Sequence, residues 1–201
     1  MSIATVIART AIAAVVLTVA VQTSAAQAAS QPNSWELRFT SGAFVPTGNQ
    51  RNYLKDAEVS AVQLSWVVAP SIAITGTLGW ARSKDLASVD TPKLDVFSSD
   101  LGVEYRSDEM FAGRTVTFSP FIGLGGGARS YNYRNLDVDA TNNLAGYGAV
   151  GGELGMGRVG LRLEVRDYAA GFKPLIGAGK SDTRNDVVMM LGVRFDRQAS
   201  H

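Results

Sequence analysis

Between Gly160 and Tyr168 the chain reads Gly-Leu-Arg-Leu-Glu-Val-Arg-Asp-Tyr, so that Leu161, Leu163 and Val165 alternate strictly with Arg162, Glu164 and Arg166. A side-chain period of two describes a β-strand with aliphatic residues on one face and charge on the other. Such a strand has two opposite uses. In a soluble sheet the charges face water; in a transmembrane barrel they point inward and the aliphatic face meets lipid.

Seven further segments alternate in the same way, giving eight in all: 35–44, 59–68, 72–82, 95–106, 116–129, 144–155, 159–168 and 187–195. Most are close to the roughly 9 to 11 residues that a tilted transmembrane strand needs, against about 5 to 6 for a soluble strand. The connections alternate too. Those at 45–58, 83–94, 130–143 and 169–186 are long, those at 69–71 and 156–158 short, and 107–115 is intermediate. This order predicts an up-and-down antiparallel meander with long extracellular loops, short periplasmic turns and both ends on the periplasmic side. Pro46, Pro70, Pro92 and Pro174 punctuate connections, whereas Pro120 falls inside the fifth segment, where it costs a ladder hydrogen bond or marks a bulge.

One face of the segments carries large apolar residues such as Leu37, Phe39, Leu64, Ile74, Leu78, Leu101, Val103, Ile122, Leu124, Leu163 and Leu191. The other is small or polar, with Thr40, Gln63, Ser65, Thr75, Thr77, Gly102, Gly123, Gly125, Ala149 and Gly151. An eight-stranded barrel has an interior just wide enough for side chains to fill, which suits such residues beside a few long ion pairs. All five lysines, Lys55, Lys84, Lys93, Lys173 and Lys180, fall in the long connections. The inner face instead receives Glu36, Asp100, Glu104, Glu153 and Glu164 with Arg38, Arg106, Arg162, Arg166 and Arg194, an interior ion-pair plug in which charge balances. Trp35, Trp66, Tyr105, Phe118 and Phe195 share the periplasmic strand ends, as an aromatic girdle does. Asp167 has the parity of the aliphatic face but lies at the extracellular rim.

The N-terminus supplies the compartment. Arg9 precedes an apolar run ending near Val21 and a small, polar stretch Ala26-Gln27-Ala28, the pattern of a secretory signal peptide cleaved between Ala28 and Ala29. Residues 1–28 are then the signal and 29–201 one barrel domain, with 18 basic and 18 acidic residues left once Arg9 is gone. Such neutrality gives no footprint for nucleic acid. With no cysteine there is no disulfide framework, lipidated cysteine or thiolate metal site.

The chain resembles the small eight-stranded outer-membrane β-barrels of Gram-negative bacteria, of the OmpX, OmpW and OmpA-barrel kind. The resemblance rests on the first strand running into Gly42-Ala43-Phe44-Val45-Pro46-Thr47-Gly48, on Pro120 to Ala128, on Leu161 to Tyr168 and on the closing Val187 to Phe195. It implies residence in the cell outer membrane, contact with outer-membrane lipid and lipopolysaccharide, and insertion by the barrel-assembly machinery. In that family an aromatic at the end of the last strand helps assembly; Phe195 would fill the role, although Asp196 to His201 follow it.

Catalytic and cofactor motifs are weak. The one histidine is the terminal His201, which removes Ser-His constellations of the kind lipid-A-trimming barrels use. Gly123-Leu124-Gly125-Gly126-Gly127-Ala128 matches a phosphate fingerprint only formally, since no helix pattern follows, and Gly179-Lys180-Ser181 lacks the first glycine of a P-loop because Pro174 stands there. Asp137, Asp139 and Asn143 lack the glycine and terminal glutamate of a calcium loop. Glu153 and Glu164 read better as partners of arginines than as an acid/base pair. No catalytic, cofactor or metal site is assigned. The sequence therefore predicts a non-enzymatic outer-membrane barrel with an envelope-structural or surface-interaction role. The alternatives are an OmpW-like narrow passage or receptor for small apolar molecules, given volume by the glycine-rich strands, and a soluble lipocalin-like barrel.

Overall fold

The computed structural model describes residues 32–86, 90–107, 111–112, 116–134, 141–156, 159–172 and 182–197. The signal segment, with Ala28 and Ala29, lies outside these, as do Asp137, Asp139, Lys173, Lys180 and His201. The described residues form β1 (Ser34–Pro46), a 3-10 turn η1 (Gly48–Asn52), β2 (Ala57–Ala69), β3 (Ile72–Lys84), β4 (Lys93–Arg106), the two-residue β5 (Phe111–Ala112), β6 (Thr117–Tyr133), β7 (Thr141–Met156), β8 (Val159–Phe172) and β9 (Asp182–Arg197). Neighbours pair antiparallel in the order β4-β3-β2-β1-β9-β8-β7-β6, and β4 pairs with β6, so these eight strands close into a ring. Closure leaves no open edge and satisfies the backbone ladder internally, which a strand in hydrocarbon requires.

Period-two alternation sets the two faces. Along β1 and β2 buried and exposed residues alternate almost without fault. Leu101, Leu124 and Leu163 point outward and are 64%, 72% and 59% exposed, whereas Arg38, Arg162 and Arg166 are buried to within 1%. This inverts a soluble protein, in which charge lies outside and leucine inside. No helix among the described residues is long and apolar enough to cross a membrane, so a crossing here is made by strands.

Three features depart from the sequence reading. The eight strands of the ring are 13 to 17 residues long. The extra pairs lie mostly at the long-connection end, where β6 and β7 pair out to Tyr131 and Thr141 and β8 and β9 to Phe172 and Asp182. Lys84 and Lys93 are accordingly strand residues facing each other in register, not loop residues. Pro120, second, costs no ladder bond between β4 and β6. Their register ends at Arg106 and Phe121, and the Pro120 carbonyl accepts from the Ser107 N–H at 2.9 Å, so the missing proline N–H points to the same place just beyond the ladder.

Third, the first long connection folds back over the barrel mouth. Gly48 leaves β1 at φ 55°, the left-handed region that favours glycine. The Thr47 N–H and hydroxyl both donate to the Asn185 carbonyl, at 3.0 and 2.7 Å. Leu54 then bridges to Asp85 and is 1% exposed.

Candidate functional site

The interior has two layers. Nearer the long connections it is apolar, with Phe44, Leu54, Val59, Leu94, Tyr131 and Val188 in one cluster. Nearer the short turns it is ionic, and the ten charged residues named from the sequence all point into it. Inward parity brings them there; the strand register decides which meets which.

The contacts run as one chain. Arg194 pairs with Glu153 and lies 3.8 Å from Glu36. Glu36 accepts from Arg38 and, through both oxygens, from Arg106 at 2.7 Å. Arg106 donates its Nε to Glu104 at 2.7 Å, and Arg162 grips Glu104 with both terminal nitrogens at 3.1 and 2.5 Å. The Arg162 Nε reaches Glu164 at 2.9 Å, Glu164 accepts from Arg166 at 2.5 Å, and Arg166 lies 3.5 Å from Asp100. Neutral groups extend the lattice: Gln63 donates to Glu164, Arg38 to Ser65, Arg166 to Thr77, and the Tyr168 hydroxyl to Asp100. Two-pronged arginine contacts are the form in which buried charge is best compensated.

Aromatic rings, which the sequence reading did not place inside, fill the rest. Phe121 lies between Gly151 and the Arg162 guanidinium, which is 3.5 Å from the ring centroid. Tyr147 lies over Gly102 and Gly125, with Arg166 4.6 Å from its centroid. Arg129 stacks on Tyr168 at 3.9 Å and pairs with Asp186 at 2.6 Å, a buried ion pair apart from that chain of contacts. Parity was the signal for all of these: Phe121 shares the face of Gly123, Tyr147 that of Ala149, and Tyr168 that of Arg166.

Gly102, Gly125 and Gly151 therefore make room for rings. A cavity among the described residues, bounded by Phe44, Thr77, Gly79, Tyr168 and Met190, measures about 20 Å³, roughly the space of one water. Gly151→Ala tests the close packing, because its Cβ would run into the Leu163 carbonyl and the Phe121 ring. The expected loss is about 1 to 3 kcal/mol, the usual cost of overpacking, read from denaturant unfolding in detergent micelles.

Outside, Trp35 and Trp66 stack at 6.1 Å and 18°, with Tyr105 and Phe195 exposed at the same short-turn end. Phe118 is there too, its ring laid over Gly152. Among the described residues no group of three or more His, Cys, Asp or Glu side chains is placed to hold a metal.

A closed eight-stranded barrel with an apolar exterior and a charged interior is a transmembrane β-barrel. Solved structures similar to it include outer-membrane proteins. The chain superposes on OprG from Pseudomonas aeruginosa with a TM-score of 0.56 at 13% identity, covering 84% of this chain and 97% of that one. It superposes on AlkL, solved in lipid bilayers, with a TM-score of 0.55 at 15% identity over 91% and 99%. For Neisserial surface protein A the TM-score is 0.55 at 10% identity over 80% and 96%. No protein-family model matches the sequence, and no curated protein matches it either. What is shared is the fold of the small outer-membrane barrels.

Proposed function

We propose that the protein is a non-enzymatic barrel of the outer membrane that serves envelope structure or a surface contact made by its long connections. The observation that carries this reading is the packing of the interior: a neutral ion-pair lattice below, an apolar cluster above, and the rings of Phe121 and Tyr147 laid over glycines of neighbouring strands. Open aqueous channels are built from about 16 strands. A narrow passage or apolar-ligand site needs the volume of the glycine-rich strands, and Phe121 and Tyr147 take it. The inner carboxylates lie on arginines instead of lining a space where a substrate could sit, which favours a structural role for them. Export through a signal cleaved at Ala28 and Ala29, and assembly aided by Phe195 on the outward face of β9, complete the proposal.

Two measurements test it. Envelope fractionation should place the protein with the outer membrane, with a gel mobility that shifts on heating; a detergent-free soluble protein without that shift would overturn the membrane reading. Planar-bilayer recording should give no steady open level, and a defined conductance reproducible between preparations would overturn the closed-interior reading.

A further inference from the structure

At the long-connection end, the outward face of β3 and β4 and the residue that follows β6 carry Arg82, Lys84, Lys93 and Arg134, all exposed. Lys84 and Lys93 stand directly opposite one another. Like charges so placed repel and favour an anion between them. The acids nearby do not supply it. Asp95, across from Arg82, is held by Arg134 at 2.6 and 2.9 Å, and Glu58, across from Arg82 on the other side, forms no ion pair with Arg82 or either lysine among the described residues. Arg82 instead lies over the Trp80 ring at 4.1 Å.

The depth of this cluster is marked by the residues beneath it. Trp80 and Phe97 stack on the outward face at 6.4 Å and 9°, and flat aromatic rings of this kind sit where hydrocarbon gives way to headgroups. The cations begin two residues further out along β3, at headgroup depth. The two-residue turn of Pro70 and Ser71 lies at the opposite end, so the leaflet concerned is the outer one.

We propose that this rim binds the phosphate groups of an anionic outer-leaflet glycolipid. Lys84 and Lys93 share one phosphate, and Arg82, steadied over Trp80, lies beside it. The assignment rests on the transmembrane reading and adds to it a lipid class and a place. Phosphate suits the site because it offers charge with several acceptor oxygens to ammonium and guanidinium donors at once.

The test titrates folded protein in detergent with bis-phosphorylated lipid A, its dephosphorylated form or phosphatidylglycerol, and counts bound lipid by native mass spectrometry. The phosphorylated glycolipid should bind tightest. K84Q with K93Q should weaken it about tenfold or more, as removal of two cations at an anionic surface implies. R51Q with R197Q, which removes the same charge from η1 and from the short-turn end of β9, away from this rim, should leave it within about twofold. Equal weakening by both pairs would overturn the site, and so would equal binding of the dephosphorylated lipid or of phosphatidylglycerol. Heat-dependent gel mobility of every variant keeps this outcome separate from failure of the membrane reading, which would appear as loss of the shift in the unaltered protein.

Discussion

Glu104→Gln is expected to cost the barrel about 3 to 5 kcal/mol, the range seen when one partner of a buried ion pair is removed. Glu104 holds Arg162 by two hydrogen bonds and Arg106 by a third. Both arginines are nearly buried, so neither can turn to water when the carboxylate goes. An interior that balanced five acids against five arginines is left with one uncompensated positive charge. Against a typical domain stability of roughly 5 to 15 kcal/mol the loss is large. It should appear as a lower denaturant midpoint for loss of the heat-shifted gel band. Adding Arg162→Gln restores neutrality, and the double variant should be more stable than the sum of the two single losses by about 1 to 3 kcal/mol, the coupling expected of directly bonded groups. If Glu104→Gln stays within about 0.5 kcal/mol of the parent, as exposed substitutions do, the lattice does not hold the barrel together.

The wiring of that lattice was not legible in the sequence, although its members were. A period of two puts Glu104, Arg106, Arg162 and Glu164 on one face, but only the register between strands says that Arg162 reaches Glu104 on β4 as well as Glu164 on its own strand. The strand ends are hidden from the sequence for a different reason. Outward aliphatic residues mark the lipid, not the strand, and the pattern inverts where the lipid ends. Beyond that level the outward residues of β6 are polar, Ser130 and Asn132, and the inward ones are Tyr131 and Tyr133. The outer part of the barrel is thus built like a soluble one, apolar inside and polar outside. The outward apolar pattern stops at this crossing while the strands run on, so neither Asp186, paired with Arg129, nor the core residues Phe44, Leu94 and Val188 carry an outward-apolar signal in the sequence. The glycines of β6 and β7 are ambiguous in the same way: glycine in a strand signals close approach, and at Gly125 and Gly151 the approaching groups include the rings of Tyr147 and Phe121 from neighbouring inward positions.

Leu163→Arg separates the two uses of the alternation between Leu161 and Tyr168 most directly. Leu163 is 59% exposed, and Arg162 beside it is 1% exposed. In a soluble barrel an exposed leucine replaced by arginine changes stability by about 0.5 kcal/mol at most. On the lipid face of a transmembrane barrel the same change costs about 2 to 4 kcal/mol near the midplane, falling to about 0 to 1 near the interfaces. Leu163 lies four residues from the short-turn end of β8, well inside the apolar belt. Asn132→Arg is the matched control, because Asn132 is also outward and exposed but lies past the crossing on β6. Unfolding both variants in lipid bilayers should therefore show a loss of about 2 to 4 kcal/mol at position 163 and less than about 1 at position 132. The difference between them reports depth, since the substituted side chain is the same. Two equally small losses would mean that the outward face of β8 meets water, and the buried arginines would then need a different explanation from the one a membrane supplies.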